Sequence, residues 1–318
     1  MKRAVLITLA LALIALPARA AEMTRLSVVT GGTGGVYYPL GGAVANVLSK
    51  HLPGIAATAE VTSASIDNLK LIGAGKADIA FSMSDSAWDG YTGNGKFHGK
   101  LPLRSIVVLY ANKTQVVTVQ GKGIEKMGDL KGKRISTGAP GSGTELIALR
   151  LLEAYGIDPE KDVKREKLSV AESVGAIKDN KIDAFIWSGG LPTAAIVDLG
   201  ATPGQKIKLL DHSDAIPAML KKYGPLYVKD TIPAKTYPGQ EKDVSILSVW
   251  NILAVNEKMD EKMAYEITKT IFEYKPELVA VHKEAQHIAL QNQLMGGSPI
   301  PFHPGALKYF AEKGVKSH

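Results

Sequence analysis

The strongest constraint on the fold is a pattern that occurs twice in the chain. A β-rich run ending in Thr-Gly, a turn of small residues and a helix appear in "RLSVVTGGTGGVYYPLGGAVANVL" and again in "KRISTGAPGSGTELIALRLLEAYG". Further on, "GKADIAFSMSD" is echoed by "NKIDAFIWSGG". Thr30 precedes Asp78 by 48 positions, and Thr137 precedes Asp183 by 46. This order and spacing predict two similar α/β lobes with parallel-rich strands, although any two βαβ units look partly alike.

The turns of the two units predict a shared ligand cleft. Ligands of open α/β sheets bind beyond the carboxyl ends of the strands, where helix N-termini offer unpaired N–H groups. Six glycines lie between Val28 and Leu48. Glycine permits a positive φ and lets the backbone approach a ligand closely. In "GAPGSGTE", Gly141 and Gly143 permit a tight turn and Ser142 or Thr144 caps the helix, with or without a ligand role.

The first twenty residues, "MKRAVLITLALALIALPARA", have the layout of a secretory signal peptide. Two basic residues precede an apolar run that is short for a membrane span, and Ala18-Arg19-Ala20 forms a small-residue cleavage site. We expect residues 1–21 to be the signal peptide, with cleavage near Ala20 or Ala21. A retained anchor is the alternative. Cleavage lowers the formal charge from +7 to +4, which is too modest and scattered to indicate nucleic-acid binding.

The absence of cysteine excludes disulfides, thiolate metal sites and a lipid-modified cysteine at the cleavage site. An exported protein without a lipid anchor is retained only where an outer membrane confines it. We therefore expect a periplasmic protein of a double-membraned bacterium. At 45% hydrophobic and 22% charged residues, the chain is typical of a globular protein with room for two domains.

The common catalytic and cofactor-binding motifs are absent or incomplete in this sequence. "GAPGSGTE" resembles a P-loop, but Thr144 stands where the phosphate-binding lysine belongs, and Tyr37 replaces the third glycine of a dinucleotide fingerprint. No GxSxG elbow occurs, and "HKEAQH" has the wrong spacing for a zinc helix. Asp85 and Asp89 can share a helix face and act as acid and base, but caps and solvated faces are commoner. The sequence predicts no enzyme, no catalytic residue, no cofactor and no metal.

Five segments together resemble the TAXI branch of the substrate-binding proteins that serve tripartite ATP-independent periplasmic (TRAP) transporters. They are "TGGTGGVYYPLGGAVANVL", "VTSASIDNLKLIGAGKADIAF", "GAPGSGT", "TYPGQEKDV" and "PIPFHPGALKYF", in this order along the chain. The resemblance implies a two-lobed periplasmic binding-protein fold, type II-like, that closes on a ligand. It also implies delivery to an integral-membrane permease driven by an ion gradient. Family ligands are small carboxylates of the glutamate, glutamine or 2-oxoglutarate class, and we expect a monomer.

The same resemblance implies ligand-binding residues in both lobes. They are Thr33, Gly34, Tyr37, Ser65, Asn68, Ser84 and Asp85 in the first, and Ser142, Gly143, Thr144, Ser188 and Gly189 in the second. The chain departs from the family at Ala64-Ser65, where a Gly-Ser pair is expected, and at the aromatic Trp187. The turn segments contain no lysine or arginine, so neutral donors would hold the carboxylate. Arg150, on the helix after the second turn, is the rival anchor, although we expect it on the surface.

Two long β-rich runs, 105–119 and 244–258, predict crossing segments that form a hinge. Lobe one would comprise residues 22–109 and 256–318, and lobe two residues 110–255. The alternatives to a TRAP receptor are a binding protein for an ATP-driven importer or a sensor kinase, or an enzyme on the same scaffold. The best-known porphyrin-building enzyme of that scaffold needs a cysteine-linked cofactor, which this chain cannot attach.

Overall fold

A computed structural model describes residues 23–294 and 296–315. The predicted signal peptide lies outside the described residues. The described strands are β1 Thr24–Val29, β2 Ile55–Glu60, β3 Ile79–Met83, β4 Leu103–Val119, β5 Arg134–Ser136, β6 Lys164–Glu166, β7 Ala184–Gly189, β8 Ile207–Leu209, β9 Val228–Ile232 and β10 Val244–Asn256. They form one mixed sheet with the order β2-β1-β3-β10-β4-β7-β5-β6, with β8 on β4 and β9 on β10.

Helices connect and cover these strands. They are α1 Tyr37–His51, α2 Ser65–Gly73, α3 Ser84–Thr92, α4 Gly143–Ala154, α5 Val170–Lys178, α6 Ala194–Ala201, α7 Ile216–Tyr223, α8 Glu261–Glu273, α9 Lys275–Val281 and α10 Pro304–Glu312. Short 3-10 helices span Met127–Leu130, Ser213–Ala215, Lys283–His287 and Leu290–Asn292.

The sequence repeat corresponds to two blocks of the same topology. The first block is β1-α1-β2-α2-β3, and the second is β5-α4-β6-α5-β7. In each block the first strand pairs in parallel with the other two. Each block with the helices on it forms one lobe. The predicted two-lobed α/β class is therefore confirmed.

Two long antiparallel strands, β4 and β10, join the blocks at the centre of the sheet. β10 pairs with β3 of the first block, and β4 pairs with β7 of the second. The predicted crossing segments coincide with these strands to within two residues at each end. The exact lobe boundaries stay a prediction. The pairing of β4 with β10 shifts register between Trp250 and Ile252, and such bulges re-aim neighbouring side chains.

The C-terminal helices belong to the core of the first lobe. Buried residues of α8 recur at helical spacing, so one face of this helix is apolar. That face and α10 bury Ile267, Ile271, Tyr309 and Phe310 in the same cluster as residues of β1 and α1. The C-terminal helices thus complete the core of the first lobe.

Candidate functional site

A cavity of about 340 Å³ lies between the two blocks. Its walls are residues 31–37, 61–65, Met83, Tyr110 and Asn112 on one side, and Ala139, 142–144, 169–172 and 187–189 on the other. Strand ends and helix starts of both blocks therefore meet at this cavity, as the position of the turns predicted. Among these lining residues of the described chain, only Glu172 carries a charge.

The glycine-rich turn before α1 serves a close approach between the lobes. None of its glycines, at 31, 32, 34 and 35, has a positive φ, so a left-handed conformation does not explain the use of glycine here. A Cβ on Gly34 would lie 3.2 Å from Ala171 Cβ, and one on Gly35 would lie 3.0 Å from the Trp187 ring. The aromatic residue that departs from the family pattern thus packs against this turn from the opposite lobe.

Three helices direct free N–H groups to the cavity. The first amides of a helix have no intrahelical acceptor, and the first residues of α1, α4 and α5 line the cavity. Ser142 caps α4, because its Oγ accepts the Glu145 N–H at 3.0 Å. Ser169 caps α5 in the same way, and the Glu172 carboxylate accepts the Ser169 N–H in return. These caps leave the amides of Gly143, Thr144, Val170 and Ala171 for other acceptors.

The start of α2 is bonded across the cleft. The Gly141 carbonyl accepts the amides of Ile66 at 3.1 Å and Asp67 at 3.2 Å. Gly141 has a φ of 79°, and a Cβ there would lie 2.3 Å from Asp67 Oδ1. Glycine is therefore required at this position by conformation and by space. The contact holds the two lobes together beside the cavity.

The structure brings together nine of the twelve predicted site residues. Thr33, Gly34, Tyr37, Ser65, Ser142, Gly143, Thr144, Ser188 and Gly189 line the cavity. Several of their hydroxyls already have protein partners. Ser142 Oγ donates to the Ala139 carbonyl at 2.7 Å, Thr144 Oγ1 accepts the Ser188 N–H at 3.3 Å, and Ser65 Oγ accepts the Met83 N–H at 3.0 Å.

The other three, Asn68, Ser84 and Asp85, do not line the cavity. Asn68 is fully buried beneath it. Its amide donates to the carbonyls of Thr30 at 2.6 Å and Phe81 at 2.9 Å, and its Oδ1 accepts the Thr62 hydroxyl at 2.6 Å. Asn68 therefore ties the end of β1 and the centre of β3 to α2, which gives it a supporting role behind the cavity wall.

Ser84 and Asp85 begin α3, and Asp85 belongs to a buried group that we call the Arg150 cluster: Asp85, Asp89, Arg150 and Tyr227. Arg150 Nη2 donates to Asp89 Oδ2 at 2.6 Å, and Arg150 Nη1 donates to the Tyr227 hydroxyl at 2.9 Å. That hydroxyl donates to Asp85 Oδ2 at 3.0 Å. Burial raises the pKa of Asp85, and the charge of Arg150 opposes the rise. The expectation of a surface Arg150 is wrong, since only 8% of it is exposed.

Sequence reasoning missed Tyr110, Asn112 and Ser169 as lining residues. The β4 sequence gives a signal for Asn112, because the polar run 112–115 interrupts the apolar segments of the strand and the period of two puts Asn112 and Thr114 on one face. Ser169 and Glu172 form the Ser-x-x-Glu spacing of a capping box. That spacing marks the start of α5 but does not show that the start faces the cleft.

Residues 28–314 match the NMT1-like family. A solved structure of a protein from Bordetella bronchiseptica RB50 is 16% identical, with a TM-score of 0.50 over 91% of this chain and 89% of that chain. The alkanesulfonate-binding protein of Xanthomonas axonopodis pv. citri, bound to MOPS, is 16% identical over 92% and 85%, with a TM-score of 0.49. An ancestral arginine-binding protein bound to arginine is 15% identical over 83% and 98%, also at 0.49.

The described residues contain neither a candidate membrane span nor a candidate metal site. No helix within 23–294 and 296–315 combines the length and apolar character needed to cross a bilayer. In the same residues, no group of three or more His, Cys, Asp or Glu side chains is arranged to hold a metal ion.

Proposed function

The chain belongs to the NMT1-like family, and on that premise we propose that it is an exported solute-binding protein. It captures a small carboxylate in the cavity between its lobes and delivers it to a membrane transporter. The ordered motifs of the sequence favour a TRAP permease as the partner and the periplasm as the location.

The observation that carries this proposal is the convergence of free helix N-termini on a cavity without a cation. The starts of α1, α4 and α5 line the same cavity, and no lysine or arginine of the described chain is among its lining residues. Helix N-termini carry a partial positive charge and unpaired N–H donors, which together stabilise an anion. A buried carboxylate needs such partners because an unpaired buried charge is very costly.

The size and walls of the cavity fit a small organic acid. Its volume of about 340 Å³ lies at the small end of the range for ligand pockets, roughly 300 to 1,000 Å³. Apolar side chains, with Met83, Val170 and Trp187 among them, form part of the remaining lining. An apolar enclosure strengthens hydrogen bonds to a charged group because water is excluded.

The arrangement of the lobes supports capture by closure. Walls from both lobes are needed to surround the cavity, so a ligand that touches both favours the closed arrangement. The long strands β4 and β10 are the connections about which such a hinge would act.

The test is binding by the purified chain and two variants. We expect native mass spectrometry of protein from a periplasmic extract to show a retained small acid, and calorimetry to show its tight binding. Thr144→Val should weaken binding about tenfold to a hundredfold, because the hydroxyl beside the free amides is lost. Gly34→Val should weaken binding at least as much, because the valine side chain would contact Val170 and Ala171 and hold the lobes apart.

Thr58→Val is the matched control, since Thr58 is exposed on β2 and does not line the cavity. Failure to bind any small anion would overturn the proposal. Turnover of the bound molecule would favour the enzyme alternative. A neighbouring gene for an ATPase would favour an ATP-driven importer over the ion-driven permease.

A further inference from the structure

Two buried oxygens in the cavity wall have no hydrogen-bond partner in the described chain. They are Asn112 Oδ1 and the Tyr110 hydroxyl oxygen, both on β4 and both in residues that line the cavity. Asn112 is 1% exposed and Tyr110 is fully buried. Leaving a buried polar atom unpaired costs about 1–3 kcal/mol, so such an atom in a cavity wall indicates a missing ligand group.

The hydrogen bonds of the Asn112 amide define what is missing. Its Nδ2 donates to Ser188 Oγ at 3.1 Å, so its donor end already has a partner. The unpaired atom is the acceptor, and only an N–H or O–H donor can satisfy it. Burial raises the pKa of Tyr110 well above its usual value, so its hydroxyl keeps its proton and can donate or accept.

We propose that the ligand carries a hydrogen-bond donor, an ammonium or a hydroxyl group, that pairs with Asn112 Oδ1 beside the Tyr110 hydroxyl. This inference rests on the proposed function, since the acidic group of the same ligand occupies the free helix N-termini. The cavity then has two chemically different ends. The helix starts provide donors for the acid, and β4 provides an acceptor for the donor group. A ligand with a carbonyl in place of that donor leaves Asn112 Oδ1 unpaired. It also places its carbonyl oxygen, a second acceptor, next to Asn112 Oδ1.

The position of Tyr110 and Asn112 on β4 also places the donor group of the ligand next to the hinge. β4 is one of the two strands that connect the lobes, and its register with β10 shifts next to Tyr110. Asn251 of β10 donates through Nδ2 to the Tyr110 carbonyl at 3.2 Å and contacts the Tyr37 hydroxyl through Oδ1. The donor group of the ligand therefore binds the hinge side of the cavity, while the acid binds the turns that meet on closure.

The experiment compares three probes that differ only at carbon 2: L-glutamate, L-2-hydroxyglutarate and 2-oxoglutarate. We expect calorimetry to show that at least one of the two donor-bearing probes binds about tenfold to a hundredfold more tightly than 2-oxoglutarate. Equal or tighter binding of 2-oxoglutarate would overturn this inference and leave the receptor function standing. Binding of none of the three would contradict both the inference and the expected glutamate, glutamine or 2-oxoglutarate class of ligand.

Variants of β4 sharpen the comparison. Asn112→Leu should remove the preference for the donor-bearing probe and leave 2-oxoglutarate binding nearly unchanged. Thr114→Val is the matched control, because Thr114 is buried on the same strand and contacts Ser188 Oγ without lining the cavity. It should keep the preference. A preference that survives Asn112→Leu would assign the discrimination to another group. The probe comparison on the unaltered protein decides the question even where Asn112→Leu does not fold.

Discussion

The cavity and the Arg150 cluster both lie where the two lobes meet, and they use opposite chemistry. The cavity presents neutral donors from helix starts. The Arg150 cluster pairs full charges, with Arg150 of α4 against Asp85 and Asp89 of α3. Every charge of the cluster has a protein partner, whereas the first amides of α4 and α5 have none within the described residues. The charge pairs of the Arg150 cluster are thus complete within the protein, whereas the donors at the helix starts are left for a ligand.

This separation has a physical reason. A buried arginine near the cavity would attract any carboxylate and would itself need a partner when the ligand left, because an unpaired buried charge is costly. Amides at helix starts carry only partial charge, so an empty cavity costs less. The charged groups that hold α3 against α4 are instead paired within the Arg150 cluster.

The largest effect on stability that we predict comes from disrupting the Arg150 cluster. Arg150→Met should lower the free energy of unfolding by about 3–5 kcal/mol, because it leaves Asp85 and Asp89 buried without their counter-charge. The variant also loses the stacking of the guanidinium 4.3 Å above the Tyr223 ring. Urea denaturation at pH 7 measures the loss.

The matched control for Arg150 is Lys161→Met. Lys161 pairs with Asp158 at 3.3 Å, but 82% of its side chain is exposed. Exposed pairs contribute roughly 0–1 kcal/mol, so this change should leave the free energy of unfolding nearly unchanged. Equal effects of the two substitutions would contradict the contrast between buried and exposed charge.

His212 provides the second test, since it is a buried titratable group that lacks a carboxylate partner. Its Nδ1 bonds the Leu210 carbonyl at 2.9 Å, and its Nε2 has no hydrogen-bond partner among the described residues. Burial lowers its pKa to about 4. The unfolded chain takes up a proton near pH 6.5, before the folded protein does. The free energy of unfolding should therefore fall as the pH drops from 6.5 to 4, by about 3 kcal/mol from this group.

Urea denaturation between pH 7 and pH 4 tests this sign. His212→Asn keeps a donor for the Leu210 carbonyl and should flatten the pH dependence, whereas the same change at the exposed His98 should not. An unchanged pH profile in the His212 variant would assign the acid sensitivity to the carboxylates.

The sequence predicted the parts of these regions that depend on local order. The repeated spacing located β1, β3, β5 and β7 because each block folds from consecutive residues. It could not place Asp85 beside Arg150, since their contact depends on the packing of α3 against α4 across 65 positions of sequence. The use of Gly34 and Gly35 was likewise hidden, because the residues that they approach belong to the other lobe.

The smallest effect that we predict separates a cap from a ligand contact within the cavity itself. The Ser142 hydroxyl donates to Ala139 and accepts from Glu145, so both of its roles are already filled by protein. Ser142→Ala should lower the free energy of unfolding by about 1 kcal/mol, the usual cost of losing an N-cap. Ser169→Ala, which removes the cap of α5, should match it in urea denaturation. Because the amides of Gly143 and Thr144 remain in place, Ser142→Ala should weaken ligand binding less than Thr144→Val does. A larger loss of binding in Ser142→Ala would mean that its hydroxyl leaves the cap to bind the ligand.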